Sequence, residues 1–154
     1  MTERYLDDFE IGERFRGVGI TVSEAQILDF ALTYDPQPFH IDREAAAASH
    51  FGGLIASGFQ TLAVGFRSYY QTGAISHCSI GSPGLDEVRW LKPVRPGDTL
   101  HAETVVKSKR ASRSKPDRGI VHMDWEIKNQ AGEVVMTFTG MHLLLRRAAA
   151  DGDG

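Results

Sequence analysis

Apolar and polar side chains alternate from residue 121 to 128. Val121, Met123, Trp125 and Ile127 stand against His122, Asp124, Glu126 and Lys128. A period of two marks a strand with one face on a core and the other toward water. Asn129-Gln130-Ala131-Gly132 then reads as a hairpin turn, and 134–145 as the returning strand. Two strands are expected upstream, over 85–91, ended by Lys92-Pro93, and over 99–108, after the turn Val94-Arg95-Pro96-Gly97-Asp98. Another spans 15–21. Apolar residues that fall on an outer face, among them Val135, Met141 and Leu143, predict a second layer supplied by self-association.

The first half of the chain carries the longer period. Ser23-Glu24-Ala25-Gln26 matches a capping box, so a helix starts there, with Ile27, Phe30 and Ala31 on its apolar face and Pro36 at its end. Asp42 caps a short helix over 43–49. Ser57 is the N-cap of a longer one over 59–71. Its apolar positions are Phe59, Leu62, Ala63, Phe66, Tyr69 and Tyr70, widened by Val64 and Gly65. A helix apolar nearly all round is expected to be buried. Helices followed by a run of closely connected strands predict an α+β domain over 1–147, an antiparallel sheet wrapped around the 59–71 helix. Residues 1–10 read as a polar lead-in and 148–154 as a loose tail.

Composition narrows the class. The chain has 154 residues, 42% hydrophobic and 24% charged, enough for one folded domain and too apolar for disorder. A net charge of -3 gives no electrostatic reason to expect nucleic acid. Cys78 is the only cysteine, so no internal disulfide and no cysteine-based zinc cluster is expected. The polar, acidic start is no signal peptide, and no apolar run approaches the ~18 residues of a membrane span, so a cytoplasmic location is expected. His50, His77, His101, His122 and His142 lack metal-ligand spacing. Gly17-Val18-Gly19 lacks the third glycine of a dinucleotide fingerprint, and no Gly-x-Ser-x-Gly elbow occurs.

The candidate chemistry sits in Tyr34-Asp35-Pro36-Gln37-Pro38-Phe39-His40-Ile41-Asp42. Two prolines predict a rigid loop through which neither helix nor strand runs. Such a loop can aim Asp35 and His40 at one point, where a carboxylate and an imidazole hold and activate water. The plainer reading makes Asp35 a turn cap and His40 a half-buried core histidine. The basic stretch 107–118 reads as solvated charge on a long hairpin, or as a contact for phosphates. Arg89 is a weaker candidate of the same kind.

The block from Ala31 to Asp42, followed by Phe51-Gly52-Gly53-Leu54-Ile55-Ala56-Ser57-Gly58 and by Val88 to Asp98, resembles the MaoC-like dehydratase family. That family includes the (R)-specific enoyl-CoA hydratases. The resemblance implies a hotdog fold, usually paired into a homodimer or an assembly of dimers. It implies reversible addition of water to a trans-2-enoyl thioester, with acyl-CoA as partner and no cofactor beyond the coenzyme A of the substrate. Asp35 and His40 take the catalytic positions, and Gly58 the oxyanion-hole position at a helix N-terminus. Gln37, Phe39, Ser57 and Phe59 fall beside them as substrate contacts. Gln37 stands where the family motif has Asn, which leaves substrate choice open. A hotdog thioesterase, which uses a carboxylate on the central helix, and a non-catalytic acyl-CoA binding module are the alternatives.

Overall fold

The alternating segments close into one antiparallel sheet. The computed structural model describes residues 3–148. Its strands are β1 (Arg14–Arg16), β2 (Ile20–Thr21), β3 (Leu85–Trp90), β4 (Thr99–Ala111), β5 (Arg118–Lys128) and β6 (Val134–Leu145). They lie in the order β1-β4-β5-β6-β3, with β2 also on β4. The β5–β6 register sets Trp125 opposite Phe138 and Met123 opposite Gly140. Val121, Met123, Trp125 and Ile127 are all buried, as their alternation predicts.

Helix α4 (Gly58–Tyr70) lies across the concave face, preceded by α1 (Glu24–Tyr34), α2 (Pro38–Ile41) and α3 (Arg43–Ala48). Close approach is built into α4. A Cβ on Gly65 would fall 2.3 Å from Ile127 Cδ1. Both halves of the predicted capping box form at α1: Ser23 Oγ accepts from Gln26 N–H, and the Gln26 side chain accepts from Ser23 N–H. Asp42 caps α3 by accepting from the Glu44 and Ala45 N–H groups.

Several expectations change. The 15–21 strand is interrupted at Gly17, where the chain crosses α4 against the Ser68 backbone. Residues 34–42 are not loop throughout, because Pro38 occupies the first turn of α2, where its missing N–H costs nothing. Strand β4 runs on to Ala111, so the basic loop shrinks to 112–117. The lead-in is not simply polar, since Leu6 and Phe9 are buried under the sheet end. Val135 is fully buried, not outward, while Met141 and Leu143 are half-buried.

The largest change concerns α4. Its buried stripe is Gln60, Thr61, Gly65, Ser68 and Tyr69. Phe59, Phe66 and Tyr70 are 61%, 44% and 44% exposed. The sheet needs small and hydrogen-bonding side chains at close range: Ser68 Oγ donates to Val18 O and accepts from Ala102 N–H. Phe59, Phe66 and Tyr70 therefore face outward, and Tyr69 alone of the aromatic positions is buried. Of the tail expected over 148–154, Ala148 alone lies within the described residues.

Candidate active site

Three chain segments meet at the N-terminal end of α4. Asp35 is the C-cap of α1, its backbone N–H donating to Ala31 O. His40 rides on α2. Ser57 is the N-cap of α4, its Oγ accepting from Phe59 N–H at 3.3 Å. Asp35 and His40, five positions apart in sequence, converge with Nε2 3.3 Å from Oδ2. The imidazole is buried and the carboxylate nearly so.

Each group is held from behind. His40 Nδ1 lies 2.8 Å from Ile55 O, which can only accept, so Nδ1 carries the hydrogen. In the neutral ring, Nε2 then presents a lone pair toward Asp35. The edge of Phe39 packs on the ring with centroids 4.6 Å apart, and Phe39 in turn rests on Phe51. Gln37 Nε2 donates to Asp35 Oδ1 at 2.8 Å, and Ser57 Oγ donates to Oδ2 at 2.7 Å. Burial alone would raise the Asp35 pKa. The hydrogen bonds from Gln37 and Ser57, with the His40 imidazole beside them, outweigh burial and hold the carboxyl below its ordinary range. Asp35 is thus held as a carboxylate, and with Nδ1 bonded to Ile55 O the neutral His40 ring carries no hydrogen on Nε2.

A cavity of about 450 Å³ opens in front of the pair, lined also by Gly58, Phe59, Trp90 and Val94. Gly58 is the first residue of α4, where the backbone N–H groups have no partner within the helix. The helix dipole adds partial positive charge at that point. Trp90 Nε1 donates to Gly58 O at 2.9 Å, and a Cβ at 58 would stand 2.5 Å from that nitrogen. Two acceptors on one side and an amide N–H on the other can bind a water and a polarised carbonyl in one space.

Asp35, His40, Gly58, Gln37, Phe39 and Phe59 all line this cavity, and Ser57 lies buried directly behind it. Gln37 and Ser57 face the carboxylate through the bonds above. Arg89 does not line the cavity and pairs with Glu87. The basic residues 110–118 sit at the far end of β4 and β5, about 30 Å along the strands from the edge near Trp90. The Ile55 carbonyl and Trp90 escaped notice in the sequence. A backbone carbonyl carries no side-chain signal, and Trp90 reads there as one more strand residue. Among the described residues, no group of three or more His, Cys, Asp or Glu is placed to hold a metal ion. None of the helices there is long and apolar enough to cross a membrane.

The chain has relatives among known proteins. The MaoC like domain family model matches residues 8–126. A MaoC-like dehydratase from Rhodospirillum rubrum is 42% identical, with a TM-score of 0.88 over 95% of this chain and 99% of that one. The uncharacterized protein YdeM of Bacillus subtilis is 34% identical over 143 residues, 92% of this chain and 99% of its own. The (R)-hydratase from A. caviae involved in PHA biosynthesis is 25% identical, with a TM-score of 0.69 over 88% of this chain and 96% of that one.

Proposed function

The chain belongs to the MaoC-like dehydratase family, and on that premise we propose that it adds water reversibly to trans-2-enoyl-CoA, giving (R)-3-hydroxyacyl-CoA. The observation that carries the proposal is the fixed tautomer of His40. With Nδ1 committed to Ile55 O, Nε2 and Asp35 Oδ2 are neighbouring acceptors. A water that donates one hydrogen to each has its oxygen lone pairs free for attack.

In the forward direction Nε2 takes one proton as the water oxygen bonds to C3 of the enoyl group. The alkene electrons move onto the thioester oxygen, which the Gly58 N–H stabilises. The imidazolium, steadied by Asp35, then returns the proton to C2. The water is consumed as a hydroxyl on C3 and a hydrogen on C2, so the step balances without a cofactor. The thioesterase reading is disfavoured because α4 carries no Asp or Glu.

Purified protein mixed with crotonyl-CoA and longer enoyl-CoAs is expected to remove the absorbance of the conjugated thioester. The product should be the (R)-3-hydroxy isomer. No turnover at any chain length sinks the proposal, and tight acyl-CoA binding without turnover would instead identify a binding module.

Ser57→Ala tests the support of Asp35. It removes an N-cap, worth ~1 kcal/mol of stability, and one of the two donors that depress the carboxyl pKa. The Asp35 pKa rises, so the titration of its carboxyl, followed by NMR, should move to higher pH. The part of folding stability linked to this carboxyl should be lost earlier as pH falls. An unmoved titration would mean that Ser57 does not support the Asp35 carboxylate.

The acting unit is, on this reading, a homodimer of single hotdog domains. Phe59, Phe66 and Tyr70 of α4 lie exposed with Leu85 and Trp90 of β3, which among the described residues is an edge strand bonded to β6 alone. Such an edge and such a patch call for a partner. Sedimentation equilibrium should give twice the chain mass at micromolar protein, and a monomer there refutes the assignment.

A further inference from the structure

Glycine is the most pliant residue of a chain, and the first turn is where a helix frays. Gly58 combines the two. An amide N–H that must meet a developing oxyanion from one direction needs support there. The support comes largely from outside the helix. Three peptide groups in a row of four residues are each held at a carbonyl. Ile55 O accepts from His40 Nδ1–H, and the other side of that peptide, Ala56 N–H, donates to Val94 O at 2.9 Å. Ser57 O accepts from Thr61 N–H at 3.1 Å. Gly58 O accepts from the indole N–H of Trp90 at 2.9 Å. Trp90 and Val94 flank one short stretch, the end of β3 and the turn after it. That stretch is itself fixed to β6: Trp90 pairs with Met136, and the Leu91 and Lys92 N–H groups both donate to Val135 O, at 2.8 and 3.3 Å. The indole also covers Gly58, since a Cβ there would stand 2.5 Å from Nε1 and 2.6 Å from Cε2. Trp90 is nevertheless 48% exposed, so burial alone does not set its place.

We propose that Trp90 is a positioning residue for hydration. Its bond to Gly58 O, together with that of Thr61 to Ser57 O, fixes both peptide planes that meet at Gly58 and so sets the direction of the Gly58 N–H. The inference rests on the enoyl-CoA reading above and deepens it. The bond also continues through the peptide. Phe59 N–H, on the far side of the same peptide group, donates to Ser57 Oγ, and the Ser57 hydroxyl donates to Asp35 Oδ2. Trp90 therefore starts a chain of hydrogen bonds that ends on the carboxylate, and each bond in such a chain polarises the next. The oxyanion donor and the Asp35–His40 pair are held in one frame by a side chain that belongs to neither.

The test is Trp90→Phe, which keeps an aromatic ring at a half-exposed position and removes the N–H. With an enoyl-CoA, kcat should fall about 10-fold, the worth of one hydrogen bond. KM should change little, because the direction of the Gly58 N–H counts most as charge develops on the thioester oxygen. A residue that only walls the pocket would give the opposite split, with KM raised and kcat kept. A second readout needs no turnover. The NMR order parameter of the Gly58 amide should drop from the rigid range, about 0.85, toward about 0.6 in Trp90→Phe. That of Gly65, in the middle of the same helix, should stay. Should the wild type hydrate no enoyl-CoA while Gly58 alone loosens in the variant, the hydratase reading fails and the brace stands. A kcat equal to that of the wild type, a loss confined to KM, or a Gly58 amide as rigid as before overturns the proposal. Equal loosening at Gly58 and Gly65 overturns it too, since Trp90 would then only pack the helix.

Discussion

Exchanging His40 for Gln is expected to slow enoyl-CoA hydration on the order of 10²–10⁴-fold, the usual cost of losing a general base. Gln fills much of the same volume and can still donate an amide hydrogen toward Ile55 O, so the fold should survive. What it cannot do is take a proton from water and return it to carbon. Asp35→Asn should fall in the same range by another route. The carboxylate accepts from Gln37 on one oxygen and from Ser57 on the other. An amide offers only one acceptor, so its NH₂ must confront one of those donors, and the anion that steadies the imidazolium is gone. Steady-state rates on one enoyl-CoA, with circular dichroism to confirm folding, check both variants. The loss should appear in kcat, since these contacts strengthen as charge develops. Undiminished turnover in either would remove the pair from the mechanism.

The second large effect is on stability. Gly17→Ala should cost about 3 kcal/mol and lower Tm by about 10 °C, the upper part of the overpacking range and its thermal equivalent at this chain length. A Cβ at position 17 would stand 2.2 Å from Ser68 Oγ and 2.5 Å from the Ser68 carbonyl carbon and oxygen. The obstacle is helix backbone, which cannot rotate aside. Gly17 N–H also donates to Ala102 O, so the segment is pinned to β4. Relief requires α4 to lift from the sheet, and Ser68 would lose its bonds to Val18 and Ala102. Gly12→Ala offers a contrast. No atom lies within 4 Å of its added Cβ, and the only penalty is its φ of +89°. Calorimetry showing Gly17→Ala as stable as wild type would mean that this crossing is looser than described.

The strands and their faces were legible because burial on one side imposes a period of two, and Trp125 declares its inward direction through its neighbours. Caps were legible for a similar reason: Ser23, Asp42 and Ser57 satisfy backbone groups within a few residues of themselves, so their evidence is local. The Asp35–His40 pair was half legible. Proline stiffness and the family resemblance picked out the residues, but α2 appeared only in the fold, since a single helical turn starting at Pro38 leaves almost no periodicity.

Long-range contacts decided the rest. No pattern in the sequence says that Gln37 turns back onto Asp35, that Ser57 reaches it across twenty-two positions, or that the carbonyl of Ile55 selects the His40 tautomer. Nor does composition reveal which side of an almost wholly apolar helix faces the sheet. The apolar period predicted a buried Phe59 and Phe66, yet the sheet took Gly65 and Ser68, because it needed closeness and hydrogen bonds more than bulk. Local sequence determined the elements, their caps and the residue types able to move a proton. Tertiary structure alone decided which of those groups meet, because such meetings depend on distances between segments that no local preference encodes.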